Sequence, residues 1–122
     1  MKLRIKGNSL RLRLSKSDVA ALAEKGKVSD QITFGFSSLV YELKANEGVE
    51  KLAAYFSNNT ITVHINAAFA RAWKDNEVIS ISDLQEIKGG EELKLLVEKD
   101  FQCLDPTHED QSDNYVNPNS TC

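Results

Sequence analysis

The opening segment of the chain holds Lys2, Arg4, Lys6, Arg11, Arg13 and Lys16 and no acid. Side chains of this kind, gathered closely, bind phosphate, nucleotides or carboxylate surfaces; the planar guanidinium fork fits an oxyanion bidentately. If Arg4 lies opposite Arg11 and Lys2 opposite Arg13, like charges face each other across a pair of strands, which is unfavourable unless an anion sits between them. Two sources of that anion are open. One is an outside ligand, a small anion or an acidic partner surface, held by Arg4, Lys6, Arg11 and Arg13. The other is the chain's own carboxylates, with Glu98 and Asp100 as the candidates.

The far end carries a second set. Cys103, His108, Asp110 and Cys122 offer thiolate, imidazole and carboxylate, the ligand types zinc prefers. No C-x-x-C knuckle accompanies them, so three readings stand: two free thiols, a zinc site, or a Cys103–Cys122 disulfide. The disulfide would add about 3 kcal/mol by loop entropy but is disfavoured in a reducing compartment. A third set is Glu98 with Asp100, which point the same way along a strand. They suit either an internal salt-bridge layer or a Mg²⁺-dependent, phosphohydrolase-like enzyme. His64, on the polar face of its strand, reads as a surface residue. The sequence has no phosphate-binding glycine loop, no G-x-S-x-G and no H-E-x-x-H.

The elements that position these residues are mostly hairpins. Over residues 2–14, Leu3, Ile5, Leu10, Leu12 and Leu14 fall on one face and the bases on the other. Gly7-Asn8 makes a two-residue turn, which sets Ile5 against Leu10 and Leu3 against Leu12. Ser15 and Asp18 have capping-box spacing, Val19 and Leu22 supply an apolar stripe, and Gly26 is placed to end a helix over about 16–25. A second hairpin is expected to turn at Ser37-Ser38 with Phe34 opposite Tyr41. A third runs from Leu52 through Phe56, turns at Asn58-Asn59 and returns through Ile61, Val63 and Ile65, although 49–54 also has helical character. Asn66 caps a second helix from Ala67 to about Asp75. Val78, Ile79 and Ile81 then form a short strand. Gly89-Gly90 turns the chain into a last strand with Leu93, Leu95, Val97, Lys99 and Phe101 on one face.

The order is hairpin, helix, hairpin, hairpin, helix, hairpin, with no convincing sequence repeat behind it. The fold class is therefore α+β: a mostly antiparallel sheet of hairpins with two short helices on one face or plugging a partly closed barrel. Residues 1–104 read as one domain and 105–122 as an acidic, irregular tail.

With 122 residues, 41% hydrophobic, and a net charge of −3, the chain has the composition of an ordinary globular domain. An acidic balance, with pI near 5.4 and no aromatics among the bases, disfavours nucleic acid. No apolar run reaches the ~20 residues of a membrane span, and the alternating charge of the first residues has no signal-peptide core. A cytoplasmic location is expected.

Two segments carry a resemblance: Lys-Leu-Arg-Ile-Lys-Gly-Asn-Ser-Leu-Arg-Leu-Arg-Leu at 2–14 and Glu-Lys-Asp-Phe-Gln-Cys-Leu at 98–104. With Glu109-Asp110 and Asn117-Pro118 in the tail, the chain resembles a family of small bacterial proteins of unknown function. The resemblance spans nearly the whole chain and implies a bacterial, intracellular setting, but brings no activity or catalytic residue. The leading expectation is a non-enzymatic binding domain with no cofactor. The alternatives are a metal-dependent enzyme and a structural zinc protein.

Overall fold

The computed structural model describes residues 1–101 together with 113 and 115. Eight strands and two helices follow one another as β1 (Lys2–Ile5), β2 (Ser9–Leu14), α1 (Lys16–Lys25), β3 (Lys27–Thr33), β4 (Ser38–Asn46), β5 (Leu52–Ser57), β6 (Thr60–Asn66), α2 (Ala67–Ala72), β7 (Ser80–Glu86) and β8 (Glu92–Lys99). A single 3-10 turn, Trp73–Asp75, extends α2. No helix among the described residues is long and apolar enough to cross a membrane.

Local chemistry explains most of these boundaries. Gly7 takes a positive φ of 54° at the first hairpin turn, where Lys6 and Ser9 exchange both backbone hydrogen bonds. Asn58 and Asn59 both adopt left-handed backbone, which the two-residue turn between β5 and β6 requires. At α1 the Ser15 hydroxyl accepts the Asp18 N–H at 3.2 Å while the Asp18 carboxylate accepts the Ser15 N–H at 2.9 Å, the reciprocal capping box. Gly26 ends the helix in left-handed conformation. The Asn66 side chain caps α2 by accepting from Phe69 N–H.

The strands form two four-stranded sheets, ordered β1-β2-β8-β7 and β3-β4-β6-β5. Hairpin pairs are antiparallel, but the central pair of each sheet, β2 with β8 and β4 with β6, is parallel. One hairpin sheet closing toward a barrel is thereby corrected: among the described residues no strand pairing joins the two sheets. Leu12, Leu14, Leu95 and Val97 of one sheet pack against Leu43, Leu52, Val63 and Ile65 of the other, with Val19, Leu22 and Trp73 from the helical segments. Trp73 is fully buried. Its indole N–H donates to Val78 C=O at 2.7 Å and Lys99 Nζ lies 5.7 Å from its ring.

The two halves of the chain correspond in strand order and register. β1 and β2 correspond to β5 and β6 (Leu12 to Val63), α1 to α2 and its extension (Val19 to Ala70, Leu22 to Trp73), β3 to β7 (Asp30 to Asp83), and β4 to β8 (Leu43 to Val97). Leu10 lies beside Leu95 in one parallel pair, and their counterparts Ile61 and Tyr41 lie beside each other in the second. Each sheet therefore takes one hairpin from each half, about a pseudo-two-fold axis.

Other expectations need correction. The second hairpin turns through Phe34-Gly35-Phe36-Ser37, closed by Phe34 N–H to Ser37 C=O, so Asp30 and not Phe34 faces Tyr41. The hairpin expected from Leu52 through Phe56 is present as β5, and its pairing with β6 excludes only the helical alternative for residues 52–54. Val78 and Ile79 precede β7 and are exposed, and Phe101 lies beyond β8. The domain boundary near 104 lies outside the described residues.

Candidate functional site

Alternation along β1, β2 and β8 turns Leu3, Leu10, Leu12, Leu95 and Val97 inward and sends the bases to the outer face of the first sheet. The register sets Arg4 opposite Arg11 and Lys2 opposite Arg13, the like-charge pairing read from the sequence. On the other side of β2, Arg13 lies beside Glu98 in the parallel ladder. Glu98 is the anion between them. Its Oε1 accepts from Arg11 Nε at 2.8 Å and from Arg13 Nε at 2.6 Å. Only 3% of Glu98 and 8% of Arg11 is exposed, although both stand on an outer sheet face.

Burial alone would raise the Glu98 pKa; hydrogen bonds from Arg13 and Arg11, with their positive charge, outweigh it and hold the carboxyl below the ordinary range. Asp100 is engaged in turn by Lys2 Nζ at 3.0 Å. Glu98 and Asp100 are thus each answered by a base, and no three metal-ligating side chains converge among the described residues. None of Arg4, Arg11 and Arg13 is without a partner. Lys6 and Lys94 are exposed on the same flank. Within the described residues the outer face of this sheet carries Lys2, Arg4, Lys6, Arg11, Arg13 and Lys94 against Glu86, Glu92, Glu98 and Asp100, six bases to four acids, with most of the bases gathered on the β1–β2 side.

A depression of about 600 Å³ adjoins the cluster, lined by Ser9, Arg11, Ser82, Leu84, Lys94 and Leu96 among others. Asp83 in its wall is turned to other work, accepting the Leu52 and Leu84 N–H groups. Ser82 and Lys94 carried no signal as site residues in the sequence, because the β2–β8–β7 neighbourhood is assembled from opposite ends of the chain.

The second sheet provides an internal comparison. The counterparts of Arg4, Arg11, Arg13 and Glu98 are Tyr55, Thr62, His64 and Lys44. There Thr62 donates to Glu42 at 3.1 Å, His64 Nδ1 meets the Asn46 amide at 3.3 Å, and Tyr55 packs edge-on to His64. The same positions of the same fold are built without a buried charge. The architecture does not demand the arginine–glutamate cluster. His64, read as a surface residue, is half-buried in these contacts.

The remaining candidate ligands, Cys103, His108, Asp110 and Cys122, lie outside the described residues. No curated protein and no solved structure matches the chain. A family model, however, matches it over residues 1–119, and the chain belongs to that family, a family of unknown function (DUF7009).

Proposed function

We propose that this protein is a non-enzymatic, cytoplasmic binding module that recognises an anionic small ligand or an acidic partner surface on the outer face of its first sheet. Arg4, Lys6, Arg11 and Arg13 are the binding residues, with Lys94, Ser9 and Ser82 around the adjoining depression. The observation that carries this reading is the contrast between the sheets. One carboxylate orients two guanidiniums at a position where the related half of the fold uses Thr62 and His64. Ion clusters in such surroundings are costly to desolvate, and a well-packed neutral replacement is often as stable. The cluster's presence in one half only supports a role other than holding the fold.

Recognition proceeds by exchange of partners. Glu98 grips both arginines through Nε, fixing the planes in which their terminal nitrogens lie, and the surrounding surplus of charge favours an incoming anion. Partly exposed pairs such as Lys2–Asp100 contribute little and are readily traded.

The test is thermal unfolding in phosphate and sulfate at constant ionic strength. A ligand at ten times its Kd stabilises by about 1.4 kcal/mol, which for a chain of this length is a Tm rise of roughly 4–6 °C. Lys6→Gln with Lys94→Gln, both exposed, should sharply reduce the rise while leaving the anion-free Tm within a degree or two. An unchanged Tm in wild type at tens of millimolar anion overturns the proposal.

A further inference from the structure

The β5–β7 edge and its counterpart by register, β1 with β3, are not closed alike. At the β5–β7 seam the Gln85 amide acts as a substitute strand. It donates to Ala54 C=O at 2.9 Å and accepts Ala54 N–H at 2.7 Å, while Asp83 takes Leu52 N–H. At the β1–β3 seam Asp30, the counterpart of Asp83, meets the Met1 ammonium at 2.9 Å. The counterpart of Gln85 is Ile32, and that of Ala54 is Leu3.

Isoleucine cannot bridge a backbone. Because Lys6 and Ser9 form a hydrogen-bonded pair, alternation makes Arg4–Arg11 and Lys2–Arg13 hydrogen-bonded pairs too. The N–H and C=O groups of Leu3 and Ile5 then point away from β2, toward the open edge. Among the described residues no group takes them. Ile5 is 60% exposed and Ile32 48%, both large apolar side chains on edge strands. Beside Ile5 the space between the sheets opens as an apolar mouth of about 420 Å³, lined by Ile5, Leu10, Leu39, Phe56, Ile61 and Leu93.

We infer that β1 is a strand-addition edge, and that its occupant is an extended peptide alternating apolar and acidic residues. An added strand forms its ladder with Leu3 and Ile5. Side chains opposite those two residues turn inward, toward the apolar mouth, and side chains opposite Lys2, Arg4 and Lys6 turn outward onto the basic flank. This charge pattern selects glutamate or aspartate at every second position. The inference deepens the anion-binding reading and rests on it for the sign of the partner's charge. The backbone component is new.

The experiment uses the full chain and the peptide acetyl-Glu-Val-Glu-Val-Glu-Val-Glu-amide, followed by fluorescence anisotropy and by amide hydrogen exchange read by NMR. The expected result is saturable binding, with exchange at Leu3 and Ile5 slowed about tenfold when nine-tenths of the sites are filled. Two variants should lose binding. Ile5→Pro deletes an outward N–H that β2 does not use, and Ile32→Gln copies the Gln85 clasp onto the open seam. Both positions are exposed, so unchanged Tm is expected.

Binding that survives both variants places the peptide on the arginine face alone and overturns the strand-addition inference. Absence of peptide binding in protein that still responds to phosphate does the same, while leaving the anion reading in place. Loss of both responses sinks the two together. Protection of Leu3 and Ile5 without peptide, in protein that sediments as a dimer, assigns the edge to a second copy and also refutes the inference.

Discussion

Glu98→Gln is the substitution with the sharpest consequence. Glu98 is 3% exposed and its Oε1 serves two guanidiniums at 2.8 and 2.6 Å. The neutral amide keeps the shape but removes the charge that answers Arg11, itself nearly buried. Deleting one partner of a buried ion pair costs about 3–5 kcal/mol, because the other charge stays desolvated without compensation. Against a domain stability of roughly 5–15 kcal/mol this is a large share. At roughly 3–5 °C per kcal/mol for a chain of this length, Tm should fall by about 10–20 °C. Arg11→Met in the Glu98→Gln background should recover part of the loss, since it removes the nearly buried charge that Glu98 answered, and the double-mutant cycle should report strong coupling. The pH dependence has a fixed sign. The folded-state pKa of Glu98 lies below its unfolded value, so its contribution is full above an unfolded pKa of about 4.3 and disappears as pH falls through the folded pKa. The gap between wild type and Glu98→Gln should therefore be constant from pH 6 to 8 and narrow below about pH 4. The assay is urea unfolding of both proteins across that range. A Glu98→Gln protein as stable as wild type at pH 7 would refute the account of the cluster.

Three further outcomes are expected. Gln85→Leu removes both hydrogen bonds to Ala54 and should cost about 1–3 kcal/mol, with faster amide exchange at Ala54 and Leu52 and little change in the distant β1–β2 hairpin. Trp73→Ala empties a fully buried site and leaves Val78 C=O without its donor, so chemical denaturation should show a loss of about 3–5 kcal/mol. Asn59→Gly, at φ 57°, should raise stability by a few tenths to about 1 kcal/mol, because glycine takes that conformation without a Cβ penalty.

What could be read from the sequence was what local chemistry decides. The first hairpin followed from Gly7-Asn8 and strict alternation, and α1 from Ser15, Asp18 and Gly26. The turn at 34–37 was misplaced because Phe34 continues the alternation of Ile32, while Gly35, with its positive φ, is where the chain reverses. The division into two sheets was hidden for a different reason. The parallel pairs β2–β8 and β4–β6 join segments remote in sequence, and Arg11 and Glu98 are separated by 87 positions. No local signal marks such pairing. The correspondence between the halves has no sequence signal because matching core positions share burial but not identity: Val19 and Leu22 in one half are Ala70 and Trp73 in the other. The outward-facing positions share no residue type between Arg4, Arg11, Arg13 and Glu98 and their counterparts Tyr55, Thr62, His64 and Lys44. Glu98 and Asp100 were legible as neutralising acids, and both meet bases of the opening hairpin. That Glu98 is shared and buried was not, since nothing in a strand pattern announces a covered outer face.

The central claim is that the outer face of the first sheet binds an anion and its pseudo-symmetric counterpart does not. The most direct measurement is an NMR titration with phosphate at constant ionic strength, following the arginine Nε–H signals and the amides of both sheets. Saturable shifts at Arg4, Arg11 and Arg13, with Thr62 and His64 unmoved, are the expected result. Shifts absent at those arginines, or equal on both sheets and never saturating, would contradict the claim.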